Sequence, residues 1–274
     1  MMKRMFYTWM SVLLMAQMAV AQNFNGGDLE RTLEVMADSL TRNLQPWDVS
    51  KCRVYQVEDF GAKADGITVN TIYIQRAIDA CSKDGGGYVV LSSGDYVTGT
   101  IELRRNVMLK VERGARLLGS TDLKDYPEKV ERLQSVMRNM HRYRLSLIYA
   151  EGTENIGICG EGEIYFRGER EHFPGPETIG GIEGRPFGIR LIQCSNIVIK
   201  DITLRNSAAW MQNYLACSNV IIDGIKVINT NSNYNCDGLD PDGCKNVIIR
   251  NCHIESHDDA LCLNTDTWTS ITSG

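Results

Sequence analysis

Three segments of this chain share one pattern. Cys194-Ser195-Asn196-Ile197-Val198-Ile199, Cys217-Ser218-Asn219-Val220-Ile221-Ile222 and Cys244-Lys245-Asn246-Val247-Ile248-Ile249 recur at steps of 23 and then 27 residues. Repetition at this period, built on short β-branched runs, reads as a solenoid. If each period is one coil of a parallel β-helix, equivalent residues stack about 4.8 Å apart along the axis. That constraint reaches the acidic residues. Asn235-Cys236-Asp237 is followed 21 residues later by Asp258-Asp259, and a step of 22 sets residues 237–240 beside residues 259–262. Carboxylates remote in sequence then become neighbours on one wall, which is a means of clustering acids for acid/base chemistry.

The preceding chain fits an all-β solenoid with helical additions. Tyr88–Leu91, Thr100–Leu103, Val107–Val111 and Ala115–Gly119 are short apolar runs separated by glycine or polar residues, as strands and turns are. Asn155-Ile156-Gly157-Ile158 is a degenerate earlier copy of the repeat. Its distance to Asn196 exceeds one coil, so residues 166–188 are expected as a loop forming one wall of a cleft. Residues 122–145 are a second, partly helical insertion. Ile74, Ala77, Ile78 and Cys81 share one face of a helix over 71–82, with Asn70 or Thr71 as its N-cap and Gly85-Gly86-Gly87 as its stop. Such a helix suits the capping of an exposed first coil. Upstream, Leu29, Leu33, Met36, Leu40 and Leu44 mark an amphipathic helix that Pro46 ends.

The first 21 residues read as a secretory signal. Lys3 and Arg4 precede an apolar run to about Met18, and Ala19-Val20-Ala21 offers a cleavage site. The expected organisation is therefore a signal over 1–21, a helical segment over 22–52 and the solenoid over 53–274. The mature protein is expected to be exported, without stable membrane insertion, and monomeric. Removing residues 1–21 takes the net charge from −5 to −7, a balance that argues against a nucleic-acid partner. Lys129, Arg132, Arg138, His141, Arg142 and Arg144 form a basic stretch that would suit a polyanion, with a solvated helical face the preferred reading.

Nine cysteines in an exported chain raise the question of disulfides, and the odd count leaves at least one unpaired within the chain. Cys194, Cys217 and Cys244 hold one repeat position and are expected as stacked buried thiols, although neighbouring coils bring Cα atoms within disulfide range. Asn196, Asn219 and Asn246 also share a position, where stacked amides bond along the axis. Metal-ligand spacing is absent, with only four scattered histidines, so no metal and no cofactor is expected.

In this order the motifs resemble glycoside hydrolase family 28, the polygalacturonases and relatives that cut pectin. The resemblance runs from about Val54 to the end. It is carried by Phe60-Gly61-Ala62-Lys63-Ala64-Asp65-Gly66, Thr71 to Cys81, Gly85-Gly86-Gly87 and Gly114-Ala115-Arg116-Leu117-Leu118-Gly119-Ser120. Gly184-Arg185-Pro186, Asn235-Cys236-Asp237-Gly238-Leu239-Asp240 and Asp258-Asp259 complete it. The resemblance implies a right-handed parallel β-helix, an inverting hydrolysis and a pectic polysaccharide as partner. It also implies that Asp258 protonates the leaving oxygen while Asp237 and Asp259 hold and deprotonate the water. Asp240 and Asn235 would orient these groups or bind sugar hydroxyls. Three departures stand out. The chain stops at Gly274, before the Gly-His-Gly and Arg-x-Lys motifs with which the family pattern continues, so an incomplete solenoid is expected. His257 stands where glycine commonly precedes the acid pair, and Cys236 where threonine is often seen.

Two other readings stay open at this point. A β-helix lyase would need Ca²⁺, for which Asp237, Asp240, Asp258 and Asp259 offer oxygens, and a strong base that the acid cluster does not contain. A non-catalytic carbohydrate-binding solenoid would use Trp210, Asn213 and Tyr214, one coil before the acid motif, where an aromatic platform would stack on a sugar ring.

Overall fold

The computed structural model describes residues 26–43, 53–129, 132–135, 145–175, 184–230, 234–264 and 268–270. The signal-like residues 1–21 lie outside them. The chain divides into two compact units, Met1–Gln45 and Pro46–Gly274. In the first, helix α1 spans Gly26–Asn43 and leaves Leu33 and Met36 exposed. Among the described residues no helix is long and apolar enough to cross a membrane.

The second unit is a right-handed parallel β-helix. Its first sheet stacks Arg53–Gln56, Gly87–Leu91, Val107–Val111, Glu154–Cys159, Ser195–Lys200, Ser218–Asp223 and Lys245–Arg250. The second runs from Asp65–Val69 through Gly94–Thr98, Ala115–Gly119, Glu163–Tyr165, Thr203–Arg205 and Lys226–Asn229 to His253–Ser256. The third contains Ile101–Glu102, Ser146–Glu151, Phe187–Ile192, Gln212–Leu215 and Asp240–Asp242. The repeat sets the register: Ile197 pairs with Val220, and Val220 with Val247. Alternation along each strand sends Ile197, Ile199, Val220 and Ile222 into one continuous core with Leu109, Ile158, Leu204 and Val227.

Asparagines hold one corner together. Asn155 donates to Asn106 (2.8 Å), Asn196 to Asn155 (2.9 Å), Asn219 to Asn196 (3.0 Å) and Asn246 to Asn219 (3.0 Å). All five sit at φ between 53° and 62°, the left-handed region that asparagine tolerates better than most residues. The ladder thus extends two coils further than the three repeat copies indicate. Cys194, Cys217 and Cys244 stack on neighbouring coils, and the Cys217 thiol donates to the Leu191 carbonyl (3.4 Å). The eight described cysteines are free thiols.

Helix α2, Thr71–Lys83, covers the first coil and buries Ile74, Ala77, Ile78 and Cys81. Its N-cap is Asn70 by position, yet that side chain makes no capping bond. It is wholly buried and instead accepts from the Lys63 N–H (2.7 Å) and donates to the Lys63 and Thr68 carbonyls. At the other end Gly86 sits at φ 114°, where a Cβ would stand 2.4 Å from Asn106. Only glycine fits that close approach.

Among the described residues of the 122–145 insertion there is a 3₁₀ turn, Leu123–Asp125, and a strand, Leu133–Ser135, that pairs antiparallel with Trp268–Ser270. The basic stretch is not a helical face where it is described. Lys129 lies over the Tyr149 ring (5.4 Å) and pairs with Glu102, and Arg132 pairs with Glu151. Arg138, His141, Arg142 and Arg144 fall outside the described residues. The expected surface loop over 166–188 contributes to packing, because Phe166 and Phe173 are buried and Phe173 meets Tyr126 edge-on at 5.9 Å.

Candidate active site

The acids meet where a turn after the second sheet enters the third. The Gly238 N–H donates to the Asp259 carbonyl (2.8 Å) and the Cys262 N–H to the Leu239 carbonyl (2.9 Å). These bonds set residue 237 beside 259 and residue 240 beside 262, the register that a 22-residue step requires. Gly238 is needed for it. A Cβ there would lie 2.6 Å from Ile254 Cγ2 and 2.7 Å from the Ala260 carbonyl, so any side chain would drive the coils apart.

The cluster has a buried half and an exposed half. Asp237 is 5% exposed and Asp240 has no exposed surface, whereas Asp258 and Asp259 face solvent. Burial, followed by the like charges of Asp258 and Asp259, pushes the Asp237 carboxyl up to about 7. Burial, followed by the charge of Asp237, raises Asp240 far above the usual carboxylate range. Neither Asp240 oxygen meets a donor among the described residues, so burial favours its protonated form. Asp237, Asp240 and Cys262 each present one possible ligand atom, all within 4.8 Å of one another. That spacing accommodates a cation and equally a proton shared between two carboxyls.

Of the remaining candidates, Asn235 sits half-buried at φ 53°, two residues before Asp237. Asn213 is buried, accepts from Arg190 Nη1 (2.7 Å) and donates to the Asp240 carbonyl (3.4 Å). Trp210 is 9% exposed, and its ring lies 5.5 Å from that of Phe187 at 57°. Burial thus gives Trp210 a packing contact rather than an open sugar platform, and gives Asn213 a link inside a polar column. His257 is exposed, and its N–H donates to the Asn229 carbonyl.

Sequence reasoning assigned no role to Arg185, Arg190 or Asn229. Arg185 is buried, and its Nη1 donates to the carbonyls of Ala208 (3.0 Å) and Tyr234 (2.7 Å), fixing the chain just before Asn235. Arg190 lies 5.1 Å from the centre of the Phe187 ring. Register places Tyr149, Arg190, Asn213 and Asp240 in one column of the third sheet. A charged residue at a strand position otherwise filled by Phe187, Ile189, Leu191 and Ile192 is the signal that marks Arg190.

Known proteins resemble this arrangement. A Vitis vinifera protein named "Probable polygalacturonase" is 32% identical over 227 residues, covering 78% of this chain and 45% of the relative. An exo-poly-alpha-D-galacturonosidase of Dickeya chrysanthemi is 27% identical over 284 residues, covering 86% and 47%. The family 28 exopolygalacturonase structure of Yersinia enterocolitica superposes with a TM-score of 0.66 at 25% identity, covering 78% of this chain and 45% of that one. The chain spans about half the length of the curated relatives it matches. The model of the glycosyl hydrolases family 28 matches residues 81–273, which contain every acid of the cluster, and the chain belongs to that family.

Proposed function

We propose that this chain carries the acid cluster of an exported hydrolase that cleaves glycosidic bonds in pectic polysaccharide with inversion. The observation that supports this reading best is the register that gathers Asp237, Asp240, Asp258 and Asp259 at one point, half buried and half open. Inverting cleavage requires one carboxyl that gives a proton to the leaving oxygen and another that takes one from water. A site that pushes carboxyl affinities apart supplies both forms at one pH. The relatives are named a probable polygalacturonase and an exo-poly-alpha-D-galacturonosidase, which makes polygalacturonate the first substrate to try.

The roles divide in one of two ways. Carried over from family 28, Asp258 is the acid, and Asp237 with Asp259 activates water. Burial favours the reverse for Asp237, since a carboxyl that holds its proton up to about 7 beside the exposed pair can donate it, whereas Asp240 is sealed from solvent. The two assignments differ in sign. If Asp237 is a base, turnover rises as pH climbs through about 7; if it is the acid, turnover falls there. Reducing-end release from polygalacturonate across pH, by the chain and by Asp237→Asn, decides the matter. No release from any pectic polymer by the folded chain, with tight retention of the polymer, would replace the hydrolase reading by a binding solenoid. An ultraviolet-absorbing unsaturated product would replace it by a lyase.

A further inference from the structure

Asn229 ends the strand Lys226–Asn229 just before the acid turn and is wholly buried. Its Nδ2 donates to the Asp237 carbonyl (3.2 Å) and to Ser207 Oγ (3.0 Å), and its Oδ1 accepts from the Ser207 N–H (3.0 Å). Its own carbonyl accepts from the His257 N–H (2.8 Å), immediately before Asp258. One residue therefore holds the chain at both acid segments. The Asp237 carbonyl takes a second bond from the Met211 N–H (2.9 Å), and the Cys236 thiol faces the Ser207 carbonyl at 3.6 Å.

We infer that Asn229 is the positioning residue that sets the separation between Asp237 and the Asp258-Asp259 pair. The inference rests on the hydrolase reading above, in which that separation decides where water and the scissile bond fit. Strand pairing fixes the spacing of coils within sheets. Asp237 and Asp258 both lie outside the strands, and besides the Gly238 N–H bond to the Asp259 carbonyl other contacts must fix their separation. The side chain of Asn229 supplies one to the first turn, and its backbone supplies one to the second. A buried amide that bonds on both sides also resists rotation, because turning it would set acceptor against acceptor.

Asn229→Asp tests this with almost no change of shape, placing an oxygen where Nδ2 now donates. The expected result is a fall in kcat of about 100-fold with KM held within about twofold, as a displacement near 1 Å would cause. The Cys236 peptide, shielded in the parent chain, should also be alkylated faster when read by mass spectrometry. Unchanged kcat with Cys236 still protected would overturn the inference, as would a lower Tm accompanied by neither effect. If Asn229→Asp fails to fold, Ser207→Ala frees one contact of the same amide and should shift both readouts in the same direction by less; no shift overturns the inference. If the parent chain cleaves no pectic polymer, the hydrolase reading fails on its own. The labelling of Cys236 then still shows whether Asn229 holds the acid turn.

Discussion

Two columns of stacked polar side chains run through this solenoid, and they behave in opposite ways. Asn106, Asn155, Asn196, Asn219 and Asn246 satisfy one another, because an amide carries both a donor and an acceptor and each coil passes the bond to the next. Asp237 and Asp240, brought against Asp258 and Asp259 by the same coiling, carry acceptors only once ionised. Stacking saturates the first column and leaves the second short of protons. The result is a carboxyl at about 7 and another higher still. The geometry that stabilises the fold at one corner raises the proton affinity of carboxyls at the other.

The largest effect should come from removing the acids. Asp258→Asn or Asp259→Asn is expected to lower reducing-end release from polygalacturonate by about 1,000-fold without unfolding, since both side chains are exposed. If either variant keeps most of its turnover, the acid column is not the reactive one.

Next is a gain in stability from breaking the strained column. The folded-state hold of Asp237 on its proton lies above its ordinary 3.8, so the ionised form disfavours folding. That penalty is absent below pH 4, grows between 4 and 7, and is complete above 7. Asp237→Asn should therefore stabilise the chain by about 2–4 kcal/mol at pH 8, and the difference should vanish toward pH 4 in urea titrations. A pH-independent difference would show that repulsion is not its origin.

The asparagine column should respond in the other direction. Asn219→Ala removes the donor to Asn196 and the acceptor for Asn246 and places alanine at φ 57°, costing about 2 kcal/mol by urea titration. Asn246 stands exposed and makes a single ladder bond among the described residues, so Asn246→Ala should cost about 0.5–1 kcal/mol. Equal losses at the two positions would mean that the ladder does not work as a chain of bonds.

Much of the arrangement is legible before any coordinates. The recurrence of Cys-x-Asn with β-branched residues specifies the coil, and its register brings residue 237 to 259. The α2 face is legible from Ile74, Ala77, Ile78 and Cys81 because helical periodicity is local. Other readings fail for equally physical reasons. Lys129 and Arg132 look like a charged helical face, but Glu102 and Glu151 on the third sheet draw them in. Asn70 has the side chain of an N-cap and spends it on the Lys63 and Thr68 backbone instead. Asn229 left one trace: alternation puts it on the same side as the core residue Val227, where an inward amide requires partners.

The sequence by itself determined the solenoid, its register, its capping helix and the company of the four aspartates, because all of these follow from periods written along the chain. Only the tertiary structure decided which of those acids lose contact with water. Asp240 is sealed at the start of a strand and Asp258 is open outside the strands, although both belong to short acidic segments. Trp210 is folded against Phe187 rather than presented to solvent. Solvent exclusion depends on what the neighbouring coils and insertions lay over a residue, and no local pattern encodes that. A carboxyl's affinity for its proton follows from that exclusion, so the chemistry of the cluster is a property of the packed coils rather than of any single motif.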